Sequence, residues 1–464
     1  MTGWRARFPW TARLLDFLWP DGPARRKRWL RMAIGVMLVI GAHAGLTGVL
    51  SSRTSRAERH FVARWGPLDM ATHRPAPVDE AANAARAVLS AAKLVALPTS
   101  PVDAAARLHE KFAAGTEGDL TAADREVIQS VVRTNALALS ILDEAAARPG
   151  SNWEIHYEWG IEAEIPPLLD ILQLAKLNAA AGRLAVEEGR IEDALAAVRR
   201  GAVIARSLEA EPIVIVQLVR LAVTRLDARL VRLILGRLEA GPERLTTMAA
   251  LISDDQPRQR TQQAMLAEAK ALTGMFGGRA GAARVAGREP NSGSALNSGI
   301  LRAVARPFLL EEERVWLERM SGRIARLDVP RHARSTQPPE PRLRSWDVVV
   351  RVIESNTEAV IDRADLAEAR SGLARVAIAI ERHRAERGHA PAALAELIPE
   401  YLAEPPLDPW TGRPFAFVSD GAGWRLRSEA DGTAMRSEGV DDPVLDWSRP
   451  LTLPTGVGRP SRPS

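Results

Sequence analysis

Cysteine is absent from all 464 residues, which removes disulfides, thiolate metal sites and cysteine nucleophiles together. A body of this length can rest on its apolar core without covalent staples, so the absence leaves the cellular compartment open. Short catalytic signatures are missing too. The chain has no HExxH, no GxSxG and no GxxxxGK, so zinc-peptidase, serine-hydrolase and P-loop chemistry receive no support from sequence. A surplus of one charge sign is confined to one end. Residues 1–31 hold Arg5, Arg7, Arg13, Arg25, Arg26, Lys27, Arg28 and Arg31 against Asp16 and Asp21; that excess outweighs the whole-chain net charge of +5, so the rest of the chain is slightly acidic. The pI near 10.0 therefore belongs to the tail and carries no expectation of nucleic-acid binding.

What is present begins with an apolar run. From Met32 to Ser52 no residue carries a formal charge, and Arg31 and Arg53 close the run on either side. As a helix it reaches about 30 Å, the thickness of a hydrocarbon core. The RRKR cluster at 25–28 precedes it, so the positive-inside rule predicts a single-pass anchor in the cytoplasmic membrane. The N-terminus is then cytoplasmic and the body extracytoplasmic, with the lipid bilayer as partner of residues 32–52. The rival reading is a cleaved signal peptide with an A-x-A-like site at Ala42-His43-Ala44. Both readings export the body. Trp4, Phe8, Trp10, Phe17 and Trp19, interleaved with arginines, suit either an interfacial helix or an unstructured tail.

The domain reading is a basic cytoplasmic tail at 1–31, an anchor at 32–52, a linker at 53–79 that contains Pro67, Pro75 and Pro77, and a helical array at 80–273. Helical patterns fall at about 80–96, 102–114 and 121–148, with Thr121 as N-cap and Asp124 where a capping box would place Glu or Gln. Gly189-Arg190 and Glu211-Pro212 cut the strongest stretch, 161–273, into antiparallel hairpins. The joint EEGRIEDAL is partly TPR-like, without a sustained repeat. Residues 274–299 form a Gly-rich loop, read as a linker or a lid; 300–342 a helix and a Pro-rich connector; 343–448 a long helix from Ser345 to Gly388 plus a small α+β module; 449–464 a disordered tail. The fold class is mainly α, a membrane-anchored helical hairpin array with that module at the end.

In the module the runs FAFV and GWRLRS flank Asp420-Gly421, a β-hairpin signature. Gly388, Pro391, Leu394, Leu397, Tyr401, Leu402, Pro406, Asp408, Pro409, Trp410, Gly412, Pro414, Phe415, Ser428, Asp431 and Gly432 follow a recurring order. A helix ends at glycine, a leucine-rich turn follows, then Asp-Pro, Thr-Gly and a strand pair. In this the chain, over about residues 366–447, resembles the soluble C-terminal part of type II secretion major pseudopilins. It departs from them in lacking a prepilin-peptidase motif before its hydrophobic segment and in the long insertion between that segment and the module. The resemblance implies a secretion or envelope assembly as partner. It also implies calcium in a C-terminal loop, for which Asp431, Asp441, Asp442 and Asp446 supply hard oxygen ligands; a solvated acidic turn is the alternative.

Remaining candidates read as ordinary structure. His109-Glu110 lacks a second histidine for zinc, His383 and His389 are expected on the surface near a helix end, His43 is a tolerated neutral residue in the membrane run, and Asp254-Asp255 stops a helix. Trp153, His156, Tyr157, Glu158 and Trp159 form an aromatic-acidic patch that either packs the first hairpin or binds peptide or glycan. Two functions follow: a membrane-anchored extracytoplasmic interaction or structural protein linked to a secretion or envelope assembly, or an exported hydrolase whose catalytic groups come from separated segments.

Overall fold

The computed structural model describes residues 23–96, 120–252, 256–273, 276, 299–336, 340, 342–354, 357–419, 423–430 and 445–449. In chain order the helices are α1 (Pro23–Trp65), α2 (Ala84–Lys93), α3 (Ala122–Thr134), α4 (Ala136–Ala145), α5 (Leu168–Glu187), α6 (Ile191–Glu209), α7 (Val214–Arg237), α8 (Pro242–Ile252), α9 (Pro257–Thr273), α10 (Gly299–Arg326), α11 (Val348–Glu354) and α12 (Thr357–Arg387), followed by strands β1 (Ala416–Ser419), β2 (Trp424–Arg427) and β3 (Asp446–Arg449). The chain is mainly helical with a small three-stranded antiparallel sheet of order β1-β2-β3. It divides into two compact units, one from Met1–Gly66 with Phe276–Glu318 and one from Pro67–Met275 with Arg319–Ser464.

In the smaller unit α1 is 43 residues long, about 65 Å. The linker reading of 53–79 therefore gives way to helix as far as Trp65. The reason is a stripe of Thr54, Ala57 and Phe61, all buried, at the spacing of one helix face. The prolines that suggested a linker all follow Trp65. Thr54 Oγ1 donates to Leu310 O at 2.7 Å, tying this extension to α10.

In the larger unit α5, α6 and α7 pack as successive hairpins at the expected breaks. Gly189 takes φ +71 between α5 and α6, where a side chain would be strained, and Arg190 N donates back to Ala185 O at 2.8 Å, closing the orphan carbonyls of α5. The expected 121–148 helix is two, separated at Asn135, whose side chain bonds Ala96 N and O instead of continuing the helix. At Thr121 the capping box is complete, with Asp124 in the reciprocal role that Glu or Gln usually takes. The helix expected from Ser345 is α11 and α12, with 355–356 between them outside the described residues. The stretches 102–114, 1–22 and 450–464, the Asp420-Gly421 turn and all of 274–298 but Phe276 also lie outside them.

Helix α12 is buried on nearly every side, from Val360 and Ile361 through Leu373 to Ile380. It joins Val231, Ile234 and Leu235 of α7 and Leu245 of α8 to Phe415, Trp424, Leu426 and Trp447 of the C-terminal segment in one core. The sheet pairs Phe417 with Leu426 and Leu426 with Trp447. Asp408, 1% exposed, fixes the turn before β1 to the end of β2, accepting from Trp410 N at 3.0 Å, Ser428 Oγ at 3.1 Å and Glu429 N at 2.7 Å. Gly372 lets this segment close on α12: a Cβ there would lie 2.8 and 2.9 Å from Cε2 and Cζ of the buried Phe415 ring. Gly372→Ala is therefore expected to destabilise the body by about 1–3 kcal/mol through overpacking and to speed limited proteolysis after Gly388. Wild-type urea and proteolysis profiles for the variant would show that the contact is not as tight as drawn.

Candidate functional site

Alanines on α6 and α12 leave a gap where these helices converge on α7. Val198, Ala202, Ala205 and Glu209 line it from α6, Arg220, Thr224, Asp227 and Ala228 from α7, and Ala367, Arg370, Ser371 and Ala374 from α12, with Ala250 to Ile252 of α8 closing one end. The three-and-four spacing puts each set on one helix face, and side chains this small cannot fill the space between axes. The resulting cavity is about 240 Å³, below the roughly 300 Å³ at which drug-sized ligand sites begin. It suits a side chain or a small molecule.

Its charged rim is largely engaged. Glu209 pairs with Arg260 at 2.6 Å, Arg220 Nε donates to Gln217 Oε1 at 2.6 Å, and Arg206 reaches Arg148 O at 3.3 Å. Burial pushes the Asp227 carboxyl well above the usual carboxylate range. Among the described residues the lining is thus small apolar side chains, three arginines, two hydroxyl residues and two carboxyls, one of them held by an arginine.

Two other buried polar groups stand apart from this cavity. Lys270, 1% exposed on α9, donates from Nζ to His73 Nε2 at 2.8 Å. Burial first, and then the Lys270 charge, push His73 down to about 4, so the ring is the neutral acceptor this bond needs; burial also lowers Lys270. In the same unit the Tyr157 hydroxyl donates to Glu211, which also accepts from Trp153 N at 3.1 Å. Burial pushes both Tyr157 and Glu211 upward. Tyr157 thereby packs the corner of Met70, Ile155 and Ala267. His156 and Trp159 of the same patch stack on each other at 4.4 Å and remain accessible.

The sequence-based candidates do not meet in one place. Asp431, Asp441 and Asp442 lie outside the described residues, as do His109, Glu110, Asp254 and Asp255. Asp446 opens β3, and both its oxygens accept from Arg425, whose hydrogen bonds hold the carboxyl below the usual range. No group of three or more metal-ligating side chains forms among the described residues. His383 is not on the surface as expected. It is 5% exposed because the chain after Gly388 folds back over it, placing His389 O 3.1 Å from its Nδ1 and the Tyr401 ring edge-on at 5.7 Å. His43 has its Nε2 3.3 Å from Val304 O. The pairs Lys270–His73 and Glu58–Glu313 escaped sequence reading because about two hundred residues or more separate their members and no motif marks either.

Among the described residues of this mainly helical chain, one helix is long and apolar enough to cross a membrane. No protein-family model, curated protein or solved structure matches the chain.

In the smaller unit Glu313 of α10, 1% exposed, faces Glu58 of α1. Burial, and after it the Glu58 carboxyl, push Glu313 up to about 7, while Arg306 opposes the shift. The unfolded chain returns Glu313 to 4.5, so the folded state alone holds the proton between 4.5 and about 7. Stability from the neutral form is full below that window and is lost as pH rises through it, by up to about 3 kcal/mol. Glu313→Gln, neutral throughout, is expected to raise the thermal midpoint in detergent at pH 8 and to leave it near wild type at pH 4.5. Equal shifts at both values would remove the titration of Glu313 as the cause.

Proposed function

We propose that this chain is a single-pass membrane-anchored interaction protein whose helical body stands outside the cytoplasm and engages an envelope or secretion assembly. The observation that carries the reading is the exposure of the apolar stretch of α1. Met37 and Val39 are each 70% exposed, Leu38 68% and Ile40 58%, and none of the described residues covers them. Leaving this surface in water costs about 25 cal/mol per Å², so lipid is its natural solvent. The arginine cluster at 25–28 supports a cytoplasmic N-terminus.

The pseudopilin-like reading of the C-terminal module draws support from a long helix followed by an antiparallel strand pair, with Asp408, Trp410 and Phe415 in structural roles. The hairpins α5 to α7 support the partly TPR-like reading in the same sense. A cavity walled by alanine and arginine favours holding a partner's side chain over hydrolysis, for which Asp227 would need a second catalytic group facing it. Calcium in the loop of Asp431, Asp441 and Asp442 belongs to the same proposal; Asp446 is committed to Arg425.

A C-terminally tagged chain is expected in the membrane fraction, and protease is expected to remove the tag only after the outer envelope is permeabilised. Protection that persists until the cells are lysed would place the body in the cytoplasm and overturn both the topology and the secretion-linked partner. Leu38→Arg, which adds about 3 kcal/mol to insertion, is expected to move a fraction of the protein out of the membrane.

A further inference from the structure

Helix α1 and α10 up to Glu318 belong to the same unit and run in the same direction, because their contacts climb together. His43 Nε2 lies 3.3 Å from Val304 O, Thr54 Oγ1 donates to Leu310 O at 2.7 Å, and Glu58 faces Glu313. Exposure along α1 agrees. Every residue from Ala33 to Ala42 is exposed, whereas from His43 to Phe61 the less exposed positions are 43, 47, 50, 51, 54, 55, 57, 58 and 61, which fall on one side of the helix.

Depth follows from this pairing. The uncharged run of α1 ends at Ser52, and His43 lies about 14 Å before that point. Val304 is within reach of His43, so the first three turns of α10, Gly299–Leu310, run beside the part of α1 that a bilayer over residues 32–52 would cover. Their sequence, GILRAVARPFLL, is apolar apart from Arg302 and Arg306. Val304 and Phe308, one turn apart, are 64% and 39% exposed. Dense charge begins on both helices at one height: Arg53, Arg56 and Glu58 on α1, and Glu311, Glu312, Glu313 and Arg314 on α10. Two helices remote in sequence change from apolar to charged at the same level, as a shared lipid boundary would require.

We infer that residues 299–310 are a second lipid-seated segment, which enters the leaflet nearer Ser52 beside the anchor and meets acyl chains through Val304 and Phe308. The exposed Arg306 extends its guanidinium to phosphate headgroups while its stem lies along lipid. That arginine, and the first-turn N–H groups of α10 that have no acceptor within the helix, need phosphate or water, which local thinning of the bilayer and water beside the anchor supply at this depth. The proposal rests on residues 32–52 spanning the bilayer.

The absence of cysteine makes the test direct. Val39→Cys, Val304→Cys, Phe308→Cys and Leu137→Cys, each in the full chain and each at an exposed position, are labelled with the fluorophore NBD and reconstituted into phosphatidylethanolamine–phosphatidylglycerol vesicles with and without nitroxide-labelled lipid. Nitroxide lipid is expected to cost emission at 39, 304 and 308 and to leave 137 unchanged. If 39 loses emission while 304 and 308 behave like 137, the second segment is overturned and the anchor stands. If 39 also keeps its emission, the membrane reading fails and the proposal with it. Labels at 304 and 308 that escape both nitroxide lipid and aqueous iodide would assign this face to a protein partner or a second copy, which equally overturns the lipid contact.

Discussion

Helix α12 has to be buried on all sides, and the larger unit is arranged to satisfy it. A helix with a single apolar stripe needs one neighbour, whereas one that reads LARVAIAI through its middle needs them all round. Helices α7, α8 and α9 and strand β2 supply them. The polar groups that α12 carries into this interior then determine how each neighbour is fixed. Asp365, fully buried, takes both guanidinium nitrogens of Arg334 and so holds the short helical turn Arg331–Thr336. Glu381 accepts from Trp424 Nε1 at 2.7 Å and from Arg449, so one carboxylate fixes both β2 and β3. Arg449 continues to Glu239 just after α7 at 2.6 Å, as does Arg384 at 2.9 Å. Such buried pairs add little net stability, since desolvation offsets most of the attraction. Their contribution is register: any slide of α12 by one residue would leave several charges buried without partners.

The legible parts of this architecture are those with a local cause. Gly189 and Pro212 mark hairpin ends because only particular residues can turn the chain there, and α1 announces itself by the length of an uncharged run. The β1–β2 pair followed from alternation on either side of a turn signal. Strand β3 did not, because Asp-Trp-Ser-Arg has no pattern of its own and exists by pairing Trp447 with Leu426. The extension of α1 past Ser52 is hidden in sequence for a related reason. Its sequence, RTSRAERHFVARW, is mostly polar, and the tie from Thr54 goes to Leu310 of α10, more than two hundred residues later. His383 was misjudged by proximity to a helix end, where exposure is usual. The fold-back through His389 and Tyr401 reverses it, and sequence position alone does not contain that information.

The candidate sites separate along the same line. The cavity among α6, α7 and α12 has a compositional cause in the alanines of α6 and α12, but their convergence depends on helix packing that no periodicity encodes. The buried titratable groups serve distinct purposes. His73 and Glu211 each satisfy a partner that cannot reach water, Lys270 in the first case and Tyr157 with Trp153 N in the second, and are polar insertions that lock short irregular segments onto helices. Asp227 differs in lining the cavity, with three arginines in the same lining, while its carboxyl group packs over Gly201.

The smaller unit poses the opposite physical problem. Its apolar surface exceeds what its two described helices can bury, and a parallel pair hides only the stripe between them. Past Ser52 the stripe suffices, since the outward faces are charged and water solvates them. Before it the residues of α1 from Ala33 to Ala42 are apolar or glycine and all exposed, a surface that suits lipid better than water. With residues 32–52 in a bilayer, as proposed, solvent changes along the length of one continuous helix, and backbone hydrogen bonding within the helix carries α1 across the change without an orphaned group. The added 13 residues of helix after Ser52, about 20 Å, would then be a stiff stem for the segment leaving the bilayer, which a flexible linker of Pro-rich composition would not provide.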